Sequence, residues 1–302
     1  MNDPICVDKK YSTTRLLIQA DPVIFLPKAE GRKGEGGLRT KSYLKKSYDD
    51  KPLISIITVV FNGEKYLEGT IQSVINQTYD NVEYIIIDGG STDGTVDIIK
   101  RYEGKIDYWI SGKDSGIYDA MNKGVLETTG DIIGIINSDD YYENSIFTQV
   151  IKSYQENGKP DIMYGNLVLI DEVKEKKRIS IPSEYKLNRK MSLNHPTCFV
   201  KKTLYNEKLF NISYKICADY DLILHLKKVK KSFLYINKTI SYMRIGGISS
   251  TSYKTTTKEV FNIQIRYFGY LLALKNINNQ YARTILKFLF MRQFNYILNK
   301  KR

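Results

Sequence analysis

The sequence predicts an α/β protein, with a mostly parallel central sheet flanked by helices. Three observations carry this. Four apolar, β-branched runs lie between residues 53 and 136. Segments with apolar residues at helical spacing separate them. Three of the runs end in Asn, Asp or Gly, which turn a chain. Strands buried on both faces read as continuous apolar runs, and alternating them with helices requires a parallel sheet covered on both sides.

The elements follow in order. Leu53–Val60 is a buried strand between Pro52 and Asn62-Gly63. Leu67, Ile71, Val74 and Ile75 recur as a helix face. Val82–Ile87 is a second strand, ended by Asp88-Gly89-Gly90. A helix follows, with Ser91 or Asp93 as its expected cap and Val96, Ile99 and Tyr102 on one face. Ile106–Ile110 reads as a third strand, 116–128 as a helix, and Asp131–Ile136 as a fourth strand ended by Asn137-Ser138-Asp139-Asp140.

Beyond residue 160 the rhythm is less regular. Ile162–Ile170, Arg178–Ile181 and Phe233–Met243 are expected strands, partly antiparallel, with Asp171–Arg178 as an exposed hairpin turn. Residues 218–230 read as a helix and 256–299 as two amphipathic helices. Residues 31–37 hold four glycines and are expected to be irregular. They are no phosphate loop, because no Gly-Lys-Ser/Thr closes them. The expected division is an N-terminal extension (1–51), a body (52–253) and a basic helical tail (254–302).

Composition narrows the function. Of 302 residues, 42% are hydrophobic and 26% charged, the balance of a folded globule. Three cysteines and two histidines cannot build a Cys/His zinc site or a disulfide scaffold, and the thiols fit a reducing compartment. No run approaches the length of a membrane span, and the N-terminus lacks a signal layout, so a cytoplasmic location is expected. The net charge of +13 is uneven. Residues 52–253 hold 25 Lys/Arg and 25 Asp/Glu, whereas 254–302 hold 10 Lys/Arg and only Glu259 as an acid. That tail interleaves cations with aromatics, as in Lys287-Phe288-Leu289-Phe290. Such a tail suits peripheral contact with an anionic membrane at its inner face. The competing reading packs it on the body or on a second copy in a homo-oligomer. Nucleic acid is not an expected partner, since the neutral body offers no second basic face.

Ligands of open parallel sheets bind beyond the carboxyl ends of the strands. Here those ends carry Phe61-Asn62, Asp88 and Asp139-Asp140. A nucleotide-sugar needs a stacking surface and an acceptor for its base, and a hard cation for its diphosphate. Phe61, Asp88 and Asp139 are the matching residue types. Turn and cap roles remain the plain alternative for both acidic sites.

Four segments in order resemble the inverting family 2 glycosyltransferases of the GT-A fold. They are Ile54–Asn62, Ile85–Thr95, Ile135–Asp140 and Ala218–Asp221, and the likeness covers roughly residues 52–250. Lys113–Gly124 resembles members that build capsule, O-antigen and other surface polysaccharides. The resemblance implies a Rossmann-like GT-A sheet. Phe61 would stack on uracil, Asp88 would hold the base, and Asp139, with Asp140, would bind Mn²⁺ or Mg²⁺. Asp219 would be the general base, with Asp221 second. Ser138, Asp114, Asp119, Asn122 and His195 are candidate donor contacts; Lys123 and the Gly246–Ser249 loop are weaker ones. Helix capping, packing and ordinary turn roles compete for each. Two positions depart from the pattern: Asn137 replaces the first acid of the DxD region, and Ala218 the acid often found before the base.

The expected activity is metal-dependent transfer of a sugar from a UDP-sugar to a hydroxyl of a glycan or lipid-linked acceptor. Asp219 takes the hydroxyl proton and the anomeric configuration inverts. The alternative is a non-catalytic nucleotide- or membrane-binding scaffold with the same fold. A dinucleotide or P-loop site does not fit the glycine spacing of Gly89–Gly94.

Overall fold

The computed structural model describes residues 32–246 and 252–276, with the backbone of 5–6 and 16–19. Its main sheet has ten strands. They are β1 (Arg32–Gly36), β2 (Ile54–Val60), β3 (Val82–Asp88), β4 (Tyr108–Gly112), β5 (Ile132–Asn137), β6 (Tyr141–Tyr142), β7 (Ile162–Asp171), β8 (Lys176–Ser180), β9 (Phe199–Lys201) and β10 (Phe233–Arg244). The spatial order is β1-β4-β3-β2-β5-β9-β7-β10-β6, with β8 paired to β7. The helices are α1 (Leu67–Ile75), α2 (Thr95–Arg101), α3 (Ile117–Glu127), α4 (Ile146–Glu156), α5 (Lys202–Glu207), α6 (Ala218–Lys228), α7 (Tyr253–Phe268) and α8 (Tyr270–Asn276). Ile5–Cys6, Leu16–Gln19 and Tyr43–Leu44 form a separate small sheet.

The four expected central strands are present, and β2, β3, β4 and β5 pair in parallel. Every residue of β2 and β3 is buried. Their side chains divide between two cores: Ile57 and Val59 face one side with α3 and α6, while Ile56 and Val60 face the other with α1 and α4. The later strands are mixed, as expected: β7 runs parallel to β10 but antiparallel to β8 and β9.

The glycine-rich stretch corrects the reading of irregular chain. Arg32–Gly36 is an edge strand antiparallel to β4. Pairing overrides intrinsic preference here, and Trp109 explains the glycines. A Cβ on Gly36 would lie 2.6 Å from the indole Nε1, and one on Gly34 would lie 3.1 Å from the ring. The residues just after this strand are anchored too. Arg39 is buried and pairs with Glu83 and, at 3.3 Å, with Glu127; buried Lys45 pairs with Asp107.

Other boundaries shift as well: the third strand runs Tyr108–Gly112 rather than 106–110, and the strand after the hairpin turn runs Lys176–Ser180 rather than 178–181. The helix expected after residue 91 starts at Thr95. Asp93 Oδ1 accepts the Thr95 N–H at 3.1 Å, but Ser91 serves a different loop. The first tail helix begins at Tyr253 rather than 256 and packs on α6: Tyr267 Oη donates to the Asp221 carbonyl at 3.1 Å. Residues 277–302, with most of the basic-aromatic tail, lie outside the described residues, as do Gly247–Ser249.

The register places the site. Val60 pairs with Asp88 and Val59 with Asn137, so β2, β3 and β5 end level. β9 runs antiparallel to β5 (Phe199 opposite Gly134), so His195, ahead of β9, arrives at that rim. α3 starts there as well, after β4.

Candidate active site

Phe61 follows the last residue of β2 and is 64% exposed. A bare aromatic ring at the mouth of a buried strand is available for stacking. The next residue, Asn62, adopts φ 51°, the left-handed region that asparagine tolerates. Its Oδ1 accepts the Thr92 N–H at 2.9 Å, while the Asn62 N–H donates to Ser91 Oγ at 2.7 Å. The loops after β2 and β3 are thereby laced together.

Asp88 is buried at the end of β3. Its Oδ2 accepts from Gly90 N–H (3.1 Å), Ser91 N–H (3.0 Å) and Ser111 Oγ (2.6 Å), and its Oδ1 from the Ser91 hydroxyl. Four donors fill the usual capacity of a carboxylate. Asp88 therefore shapes the loop under Phe61. Asp114 lies on the outer side of that loop. A Cβ on Gly89 would sit 2.6 Å from Asp114 Oδ2 and 3.5 Å from the Phe61 ring. Burial raises the Asp114 carboxyl above its ordinary value, against the Gly116 N–H bond and Lys123. Gly89 thus lies between Asp114 Oδ2 and the Phe61 ring.

Ser138 and Asp139 leave β5 next to this loop; a Cβ on Gly63 would lie 3.1 Å from Ser138 Oγ. Asp139 is half-buried, and desolvation raises its carboxyl although Arg244 opposes this. Asp140 turns inward. Its Oδ1 accepts the Arg244 N–H at 3.1 Å, and Oδ2 is buried with no hydrogen-bond partner, as is Asn137 Oδ1. Burial and the adjacent Asp139 push the Asp140 carboxyl well up. Arg244 supplies the nearby positive charge. Its guanidinium donates to the Asp139 carbonyl and, at 2.8 Å, to Glu172, and it stands 4.4 Å from the centre of the Tyr66 ring.

No three His, Cys, Asp or Glu residues converge as a metal cage among the described residues. The donor set of the 137–140 turn is nevertheless all oxygen, which fits a hard divalent cation. The two orphaned buried oxygens and the raised Asp139 are what a cation would relieve. Such an ion would need further oxygens from a ligand.

Asp219 is half-buried in the first turn of α6. Tyr118 Oη lies 3.2 Å from Asp219 Oδ1 and donates to the Ile216 carbonyl. Burial raises the Asp219 carboxyl, with His195 the main opposing influence. Burial also lowers His195, whose ring meets Phe210 edge-on at 5.8 Å. A carboxyl of raised basicity in the first turn of a helix is suited to accept a proton.

Phe61, Asp88, Ser138 and Asp139 thus follow the level ends of the strands, Asp114 lies across Gly89 from Phe61, and His195, with Asp219 near it, arrives by way of β9 and α6. Other expectations resolve differently. Asn122 clamps the Phe210 backbone, with both bonds at 2.9 Å, so its amide is used in packing. Asp119 accepts the Ser115 N–H at 2.9 Å and pairs with Lys123 at 3.0 Å, which orders the start of α3. Asp221 is buried and pairs with Lys208 at 2.7 Å, away from the rim chemistry. Cys198 and Cys217 are buried thiols, and burial pushes Cys198 up to about 12. Sequence reasoning passed over Tyr118 and Arg244. Their partners lie about a hundred residues away along the chain, and no local spacing marks them.

Comparison with known proteins decides the family. The model of Glycosyl transferase family 2 matches residues 55–212, more than half of the chain. The chain belongs to glycosyl transferase family 2. A glycosyltransferase of Haemophilus influenzae, described only as uncharacterized, is 32% identical over 211 residues, covering 67% of this chain and 83% of that one. A PGL/p-HBAD biosynthesis glycosyltransferase of Mycobacterium bovis is 27% identical over 210 residues, covering 66% and 80%. Among solved structures, residues 1–349 of S. aureus TarS in complex with UDP-GlcNAc superpose with a TM-score of 0.58 at 17% identity, covering 74% of this chain and 70% of that one. The chain spans 39% of a longer TarS. The mannosyltransferase PcManGT from Pyrobaculum calidifontis, in complex with GDP-Man and Mn²⁺, gives 0.51 at 12% identity, covering 84% and 86%. This family 2 member has the GT-A fold, and among its described residues no helix is long and apolar enough to cross a membrane.

Proposed function

We propose that the chain transfers a sugar from a nucleotide-sugar, UDP-linked, to a hydroxyl of a glycan or lipid-linked acceptor, with inversion. What supports this reading is Asp219 beside Tyr118 and His195 at the start of α6, with His195 brought by the β9–β5 register toward the strand ends that carry exposed Phe61. The catalytic body is residues 52–253. A role at the inner face of a membrane, through 254–302, belongs to the same proposal. TarS bound to UDP-GlcNAc supports a nucleotide-sugar donor, and PcManGT bound to GDP-Man and Mn²⁺ supports a divalent cation.

In this mechanism Phe61 stacks on the base, and Asp88 holds the loop beneath it in shape. Asp114, across Gly89 from the ring, is the acceptor for the base N–H. Asp139 would hold Mn²⁺ or Mg²⁺ together with donor oxygens; that ion supplies charge stabilisation to the departing diphosphate. Asp219 takes the proton of the acceptor hydroxyl as its oxygen attacks the anomeric carbon. The C–O bond to the nucleoside diphosphate breaks on the opposite face. Tyr118, held protonated by burial, accepts a hydrogen bond from the newly protonated Asp219 while still donating to Ile216.

The test has two arms. A panel of UDP-, GDP- and dTDP-sugars with Mn²⁺ is screened for nucleotide release. Asp219→Asn is then assayed with the best donor. The expected result is loss of transfer, by roughly three orders of magnitude or more, with nucleotide binding retained. Wild-type turnover in Asp219→Asn would remove the base from the proposal.

A further inference from the structure

A carboxylate from the C-terminal segment closes on the backbone that carries Asp219. Glu259 lies on α7 and is buried. It accepts three consecutive N–H groups: Lys215 at 2.8 Å through Oε1, then Ile216 and Cys217 at 3.0 Å each through Oε2. These groups immediately precede α6, whose second residue is Asp219. None of the three side chains has an oxygen of its own to cap them. Glu259 supplies the missing acceptor from more than forty residues away. A carboxylate on a run of backbone N–H groups is a strong, directional contact.

The same peptide is gripped from the other side. Tyr118 Oη donates to the Ile216 carbonyl and also lies 3.2 Å from Asp219 Oδ1. Ile216 is thus held by its N–H from α7 and by its C=O from α3. α7 is itself pinned: Gln264 Nε2 donates to the Arg189 carbonyl at 2.6 Å.

We propose that Glu259 is a positioning residue for the transfer reaction, fixing the turn 215–217 so that Asp219 meets the acceptor hydroxyl. The proposal rests on the reading of Asp219 as the base. It makes α7 a working part of the active site.

The experiment compares full-length wild type with Asp219→Asn, Glu259→Gln and Glu259→Ala. It measures kcat and KM with the best donor of the screen, the Kd of UDP with Mn²⁺ by calorimetry, and amide hydrogen exchange at residues 215–217. Misplacement of a reacting group by about 1 Å costs on the order of 100-fold, so Glu259→Ala should lose kcat on that scale. Its UDP affinity should stay within roughly threefold of wild type, a split that general destabilisation does not produce. Glu259→Gln keeps one carbonyl oxygen and should fall between the two. It also serves as the working variant where the alanine change lowers the yield of folded protein. Protection at 215–217 should drop in both variants.

Unchanged exchange at 215–217 overturns the clamp without any need for a donor. A kcat within about twofold of wild type in both Glu259 variants overturns the positioning role. Parallel loss of kcat and UDP affinity does the same, since it reports unfolding. If instead Asp219→Asn retains turnover, the base assignment fails first, which separates the two claims.

Discussion

Asp219 shows how burial and chemistry meet in one side chain. Desolvation raises its carboxyl, and His195, itself lowered by burial, opposes this only in part. A base must be ionised to act. Transfer should therefore fall as pH drops through the raised Asp219 value, above the usual aspartate range. A kcat/KM profile whose acid limb sits at an ordinary aspartate position would contradict this. At this scale the sequence was informative where a strand ends in a chemically distinct residue. Phe61, Asp88 and Asp139 were legible for that reason. Tyr118 was not, because its partners, Ile216 and Asp219, belong to a different helix start. Asp88 was legible as a residue but not in its detail: only the folded loop reveals four donors on its two oxygens.

Among the elements, α3 fits close against the sheet at a glycine. Gly124 faces the sheet, and a Cβ there would lie 2.5 Å from Ile57 Cγ2 and 3.3 Å from Ile87. The helix lies against the sheet because that position has no side chain. Gly124→Ala gains about 1 kcal/mol of helix propensity but inserts a methyl into a filled interface, at a cost of roughly 1–3 kcal/mol. The clash should prevail, lowering the urea midpoint. A raised midpoint would mean that α3 can lift off freely. The central strands were legible because β2, β3 and β5 are apolar from end to end. The edge strand β1 was not, because the four glycines of residues 31–37, two of them in the strand, carry no periodicity; its order comes from Trp109 and the β4 ladder. The start of α7 was equally hidden, since Thr255, Thr256 and Thr257 are indifferent helix formers.

For the whole molecule, one contribution to the pH response comes from charge at the far end of the strands. One guanidinium, Arg39, serves two buried carboxylates. Glu83 takes the larger share and is lowered, with help from Ser55 and Thr129. Glu127 is left with burial and the repulsion of Glu83, and is pushed up to about 7. Its folded value thus exceeds its unfolded one, so the folded state holds the proton more tightly. The stability from this group is complete below the ordinary glutamate range and is lost as pH rises towards about 7. Glu127→Gln should flatten the fall in thermal midpoint between acid and neutral pH; an unaltered slope would clear Glu127 of the effect.

The borders of the sheet have a colloidal consequence. One margin is a five-residue strand of two glycines and three charged residues, another a two-residue strand, and β8 is lined with exposed Lys176, Lys177 and Arg178. None of these three strands presents a long, uncharged ladder of its own to a neighbour, which disfavours strand-by-strand growth into fibrils from them at high concentration.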